Sequence, residues 1–246
     1  LRPEWTATLV EALRAGLDLV SGMHSPLANV PELAEVAKQT GRKLVDIRKP
    51  PAGIPAGSGE KRTGKRLLMV GTDCALGKKY TALALHREMQ KRGMKCSFRA
   101  TGQTGIMISG GGMPMDAVVS DFLSGAAELL SPNNDADHWD VIEGQGSLFH
   151  PAYASVTLGL VHGSQPDAMV LCHQAGRTII LDYPDYPIPT LTECIRRYEE
   201  AAQLTNRKAR VIGLSINTSG LDDAARKDAL AQASKETGLP AVDPIA

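Results

Sequence analysis

The sequence predicts an α/β domain: a mostly parallel sheet with helices on both faces. Short buried-type runs at Leu67–Val70, Ser97–Ala100, Val141–Ile142, Ala168–Leu171 and Arg210–Ile216 alternate with helical stretches. That alternation is the signature of parallel strands joined by crossover helices. The first run leads into a glycine-bounded loop and then a helix, as in a phosphate-binding strand–loop–helix. With 43% apolar residues over 246 positions, the chain can bury one large core, or one domain plus a smaller piece.

The smaller piece comes first. Leu9, Ala12 and Leu13 give helical spacing over 6–15, and Leu17–Val20 is a short apolar run. Pro31 opens a helix through Lys38, Gly41 stops it, and Leu44, Val45 and Ile47 follow as a strand. Residues 1–50 read as the C-terminal part of a small α/β N-terminal domain, because the chain opens at Leu1 already inside a helix. The Pro- and Gly-rich stretch 51–64 reads as a linker, and 65–246 as the main domain. Within it, helices are predicted over 78–92, 116–130, 190–204 and 222–237. In the second, Val119, Phe122, Leu123 and Ala126 share one face.

Charge excludes some partners. Lys+Arg and Asp+Glu balance at 27 each, so nothing in the totals favours nucleic acid or a membrane surface. No apolar stretch approaches a bilayer span, and no signal peptide is read. Four scattered cysteines without a C-x-x-C pair suit a reduced, cytoplasmic protein and no metal site. The expected partners are a small-molecule substrate and, at most, further copies of the same chain.

The strongest motif is Gly71-Thr72-Asp73-Cys74-Ala75-Leu76-Gly77-Lys78-Lys79-Tyr80. At a helix N-terminus, unsatisfied amides and the helix dipole favour an anion, and Lys78 adds a point charge. These ten residues are the predicted P-loop, and with it the main domain takes the P-loop NTPase type of α/β fold. Two features depart from the usual motif. Five residues rather than four separate the glycines, and Lys79 stands where a Ser or Thr would bind magnesium. Thr81 lies about 200° further round the helix and is a poor substitute. A second ammonium repels a metal and attracts phosphate, so the loop is expected to hold phosphate without magnesium.

Other candidates gather on the C-terminal edge of the sheet, where parallel α/β proteins bind ligands. The run Asp140-Val-Ile-Glu143 puts an acid at the C-terminal end of the Val141–Ile142 strand, before the loop Gly144-Gln145-Gly146, with Glu143 a general base, a metal ligand or a surface-turn carboxylate. Gln103 and Thr104 follow the Ser97–Ala100 strand and suit ligand contacts. Gly110–Gly112 is either a lid or a plain linker. His173 follows Ala168–Leu171, and Arg177 behind it could grip a carboxylate. His150 and His162 complete a histidine-rich stretch without zinc spacing. Asn217 either contacts a base or forms a turn.

The P-loop, with its five-residue spacing, and Glu143-Gly-Gln-Gly146 resemble dethiobiotin synthetase, which would imply ATP and magnesium. A fuller resemblance is to a bacterial and archaeal family, formerly a domain of unknown function, associated with D-glutamate N-acetyltransferase. It is carried by Gly16–His24, Gly71–Lys78, Ala100–Ile108, Asp116–Phe122, Glu143–Leu148, His150–Tyr153 and His162–His173. It implies acetyl transfer from acetyl-CoA to the amine of D-glutamate. On that reading the P-loop, including Lys79 and Tyr80, holds CoA phosphates, and Glu143 or His150 takes the proton. Gln103, Thr104, Gln145, His173 and Arg177 contact substrate. The alternatives are an ATP- and magnesium-dependent ligase or small-molecule kinase, and a non-catalytic nucleotide-binding regulator.

Overall fold

A computed structural model describes residues 1–245. In the N-terminal part, α1 (Pro3–Arg14) and α2 (Pro31–Thr40) pack over the parallel pair β1 (Leu19–Ser21) and β2 (Leu44–Asp46). Each helix starts with proline, whose missing N–H costs nothing there. Val10, Leu13, Leu19, Leu33 and Val36 form a small core. Asp46 closes it by accepting from the amides of Leu27 (2.8 Å) and Ala28 (3.3 Å).

Residues 51–64 form no helix or strand, as their composition predicts, yet they are tied down. The amides of Ser58 and Gly59 donate to the Glu128 carboxylate at 2.9 Å each. Arg66, only 1% exposed, donates to the carbonyls of Arg62, Thr63, Ser131 and Pro132. This buried guanidinium is satisfied almost entirely by backbone, so it holds the segment against the main sheet.

The main sheet has six parallel strands: β3 (Lys65–Gly71), β4 (Cys96–Arg99), β5 (Trp139–Ile142), β6 (Ala168–Gln174), β9 (Val211–Asn217) and β10 (Ala241–Val242). Their order is β10-β9-β6-β3-β5-β4. A short antiparallel hairpin, β7 (Ile179–Ile180) and β8 (Tyr183–Pro187), follows β6. The crossovers carry α3 (Lys78–Lys91), α4 (Gln103–Ser109), α5 (Leu123–Leu130), α6 (Ala154–Ser164), α7 (Leu191–Gln203) and α8 (Asp223–Thr237). Alternate residues of β3 feed two cores, because side chains of a strand point to opposite faces. Leu67 and Met69 meet Ala82 and Leu85 of α3. Leu68 and Val70 meet Leu123, Leu160 and Tyr198 from the other layer. β3 therefore sits centrally, and its C-terminal end opens between β5 and β6.

Several elements differ from expectation. The helix predicted over 116–130 is two 3₁₀ turns, Met115–Ala117 and Ser120–Phe122, before α5 begins. Val118 and Val119 are extended, as β-branched residues favour, and Val119 is 65% exposed rather than on a buried face. Strand β5 ends at Ile142 as expected but begins at Trp139, so Asp140 lies inside it, buried, and accepts from Arg99 Nε at 2.8 Å and Ser131 Oγ at 2.6 Å. Within Gly110–Gly112, Gly112 packs against Ala100, where a Cβ would lie 2.6 Å from the carbonyl oxygen.

Tyr198 locks the strand before the phosphate loop. Its hydroxyl donates to the Gly71 carbonyl at 2.7 Å and accepts from the Leu148 amide at 3.2 Å. Ser147 Oγ donates to the same carbonyl at 2.9 Å. Burial pushes the phenol up to about 12, so it stays neutral and keeps its proton. Tyr198→Phe should cost about 1–3 kcal/mol, because the Leu148 amide loses its partner in a buried site. Urea unfolding should show this as a lowered midpoint with an unchanged slope.

Candidate active site

A cleft of about 610 Å3 opens at the C-terminal ends of β3 and β5. The P-loop forms one wall, Gln103 and the Glu143–Gly146 loop another, and His24, Arg48 and Asp116 the rest.

The P-loop is built for an anion. Ala75 (φ 52°) and Gly77 (φ 109°) are left-handed and turn the backbone sharply into α3. None of the amides from Ala75 to Tyr80 finds a partner among the described residues. Such a run of unpaired donors at a helix start is an anion nest. Lys78 is buried and donates from Nζ to the Asp73 carbonyl at 2.7 Å; burial pushes its pKa down. Lys79 is half-buried, with its ammonium 4.6 Å from the Tyr80 ring centroid. Thr81 is buried at the position two beyond Lys79. Its hydroxyl donates to the Gly77 carbonyl and meets Ser215 Oγ at 2.8 Å, so it is occupied inside the protein.

Glu143 sits directly beyond β5. Its Oε2 accepts from the amides of Thr101 (2.9 Å) and Gly102 (3.1 Å). Burial raises its pKa, against those amide bonds and the charges of Lys79 and Lys78. A carboxylate so placed is more basic than an exposed one. The geometry depends on two close approaches. A Cβ on Gly144 would lie 1.8 Å from the Met69 carbonyl oxygen, and one on Gly105 would lie 2.2 Å from Glu143 Oε2. The amides of Gly144, Gln145 and Gly146 also lack partners among the described residues. Gln145 lines the cleft and donates to Thr101 Oγ1 at 3.0 Å.

A second cavity of about 390 Å3 lies on the other side of the α3 N-terminus and shares Leu76, Gly77 and Tyr80 with the cleft. Asn217, Arg226 and Asp243 line it. Asn217 makes the turn weighed from sequence, accepting from the Ser219 amide at 2.9 Å.

A family model described as "Domain of unknown function (DUF1611_C) P-loop domain" matches residues 54–246, and "DUF1611_N Rossmann-like domain" matches residues 1–50. The chain belongs to the DUF1611 family. Two relatives are named D-glutamate N-acetyltransferase. One, from Tritonibacter scottomollicae, is 52% identical over 98% of this chain and 72% of its own length. The other, from a Pseudoalteromonas species, is 46% identical over 100% of this chain and 74% of its own. A crystal structure of a DUF1611 family protein from Anabaena variabilis superposes with a TM-score of 0.92 at 43% identity. That match covers 99% of this chain and 72% of the other. These likenesses support an N-acetyltransferase.

In this family member the P-loop from Cys74 to Tyr80, Gln103, Glu143 and Gln145 meet in the cleft. Other predicted site residues do not. Gly71 and Thr72 lie buried beneath the loop, with Thr72 Oγ1 2.8 Å from His173 Nδ1. Asp73 is buried, its carboxylate taken by the Cys74 amide, the Leu181 amide and Arg177 Nη1 at 3.1 Å. Arg177 and His173 line a separate cavity of about 360 Å3, because β6 carries them to the far side of β3. Thr104 is exposed and outside the cleft lining. His150 is 3% exposed, accepts from the Ala152 amide at 3.1 Å, and packs against Tyr153 and Tyr183. Asp73, Cys74 and His150 lie close enough to suggest a metal, but Arg177 already neutralises the carboxylate.

Sequence reasoning missed His24, Arg48 and Asp116 as one cluster. Their separation along the chain hides it, although His24 and Asp116 both fall in segments that carried the family resemblance.

Gly105→Ala should drive the Glu143 carboxylate off its two amides. If Glu143 is the base, kcat should fall about a hundredfold. Steady-state kinetics should show KM for the acetyl donor little changed, with a native circular dichroism spectrum.

Proposed function

We propose that this protein transfers the acetyl group of acetyl-CoA to the amine of D-glutamate. The observation that carries the reading is the run of unpaired amides, 75–80, next to the raised-pKa carboxylate of Glu143. The names of the two relatives supply the acceptor. The donor fits the site's chemistry. Its phosphates match the loop amides and Lys79, and its adenosine end suits the neighbouring cavity, which shares Leu76, Gly77 and Tyr80. Lys79 replaces the hydroxyl that a magnesium-dependent loop carries, so the phosphates are held by protein cations and amides alone.

In the reaction, the acceptor's ammonium gives a proton to the medium, and the free amine attacks the thioester carbonyl. A carbon–nitrogen bond forms as the carbonyl becomes an oxyanion, which the unpaired amides of the Gly144–Gly146 loop stabilise. Glu143 takes the second amine proton. Collapse breaks the carbon–sulfur bond, and the departing thiolate receives that proton. Glu143 is preferred to His150 as base because it lines the cleft and His150 does not.

Thiol release from acetyl-CoA tests the reading. Release with D-glutamate but not with L-glutamate or without amine, unchanged by EDTA, is expected. No release with any amine would overturn it.

A pH profile tests Glu143. Because its pKa is raised, the base is lost as pH falls through a value above the ordinary carboxylate range of about 4.3. The acidic limb of kcat/KM should lie there and vanish in Glu143→Gln, along with most of the rate.

A further inference from the structure

The cleft contains one arginine, and it comes from the N-terminal part of the chain. Arg48 follows β2 and reaches across to the main domain. Its Nε donates to the Gly22 carbonyl at 2.5 Å, and Nη1 donates to Asp116 and, at 3.3 Å, to His24 Nδ1. Arginine only donates, so His24 Nδ1 accepts; in the neutral ring the proton is then on Nε2, leaving a second donor. Arg48 Nη2 has no hydrogen bond among the described residues, and the side chain is 14% exposed. The result is a guanidinium fixed through Nε and Nη1, with Nη2 still able to donate.

The turn after β1 that accepts from Arg48 is seated closely. A Cβ on Gly22 would lie 2.9 Å from Gln103 Cβ, so the N-terminal part is packed against α4 at the cleft. The other cations near the site face other groups. Lys78 is bound to the Asp73 carbonyl, Arg177 is paired with Asp73 in another cavity, and Lys79 stands at the phosphate loop.

We propose that Arg48, with His24, is the specificity-determining group that holds the side-chain carboxylate of a dicarboxylic amino-acid acceptor. This rests on the acetyl-transfer reading above. The α-carboxylate shares a carbon with the amine and must stay near Glu143. The side-chain carboxylate lies three bonds further out and meets Nη2 of Arg48. A planar guanidinium already holding Asp116 can accept a second carboxylate because its donors fan outward in a fixed fork.

The test compares D-glutamate with D-glutamine, which has an amide in place of the side-chain carboxylate, in wild type, Arg48→Met and Arg48→Lys. Wild type should strongly prefer D-glutamate. Arg48→Met should raise KM for D-glutamate about tenfold or more, the loss of a charge-assisted contact. D-glutamine should lose far less than D-glutamate, so the preference collapses. Arg48→Lys should retain part of the preference, and it carries the test if Arg48→Met does not fold. Equal losses with both acceptors would mean a merely structural role and would overturn the inference. So would a preference that survives the substitution. A wild type inert toward both acceptors would overturn the transfer reading itself, whereas an active wild type whose preference is untouched overturns this inference alone.

Discussion

The site depends on backbone amides left unpaired where β3 turns into α3. Six consecutive residues, Ala75 to Tyr80, offer N–H groups that the protein itself does not use. Unpaired donors are costly when buried and are kept where a ligand or water takes them. The left-handed backbone at Ala75 and Gly77 aims them outward, and Lys78 braces the loop from within by donating to the Asp73 carbonyl. The strand end is held just as firmly, with the Gly71 carbonyl gripped by both Tyr198 and Ser147. Rigidity behind the loop keeps the anion nest in shape before any ligand arrives.

Glu143 is the counterpart of that positive surface. Two amides hold one of its oxygens, and burial makes it more basic than a surface carboxylate. Lys78 and Lys79 act in the opposite direction. A proton acceptor next to an anion-binding loop suits a reaction in which a phosphate-bearing donor is attacked by an amine. The glycines at 105 and 144 are needed because the carboxylate and the β3 backbone leave no room for a side chain.

Much of this was legible in the sequence. The alternation of elements and the glycine-bounded loop led to the parallel sheet and to the P-loop, because local periodicity and turn chemistry determine both. Glu143 was legible because a strand end in a parallel sheet faces the crevice. The misplacements have physical causes. The strand was read over Val141–Ile142 alone, whereas β5 begins at Trp139 and buries Asp140 against Arg99 and Ser131. Arg177 looked like a substrate clamp by position, but the sequence could not reveal that Asp73 would neutralise it. α6 was missed because Gly159 and Gly163 weaken its helical signal. Arg48 was invisible because its partners lie 24 and 68 positions away.

The most direct measurement is a crystal structure with CoA bound. The account predicts the diphosphate on the amides of 75–80, the adenosine in the cavity beside Asn217 and Arg226, and the thiol end in the cleft near Glu143. A CoA molecule bound away from the P-loop, or with its thiol end directed away from Glu143, would contradict it.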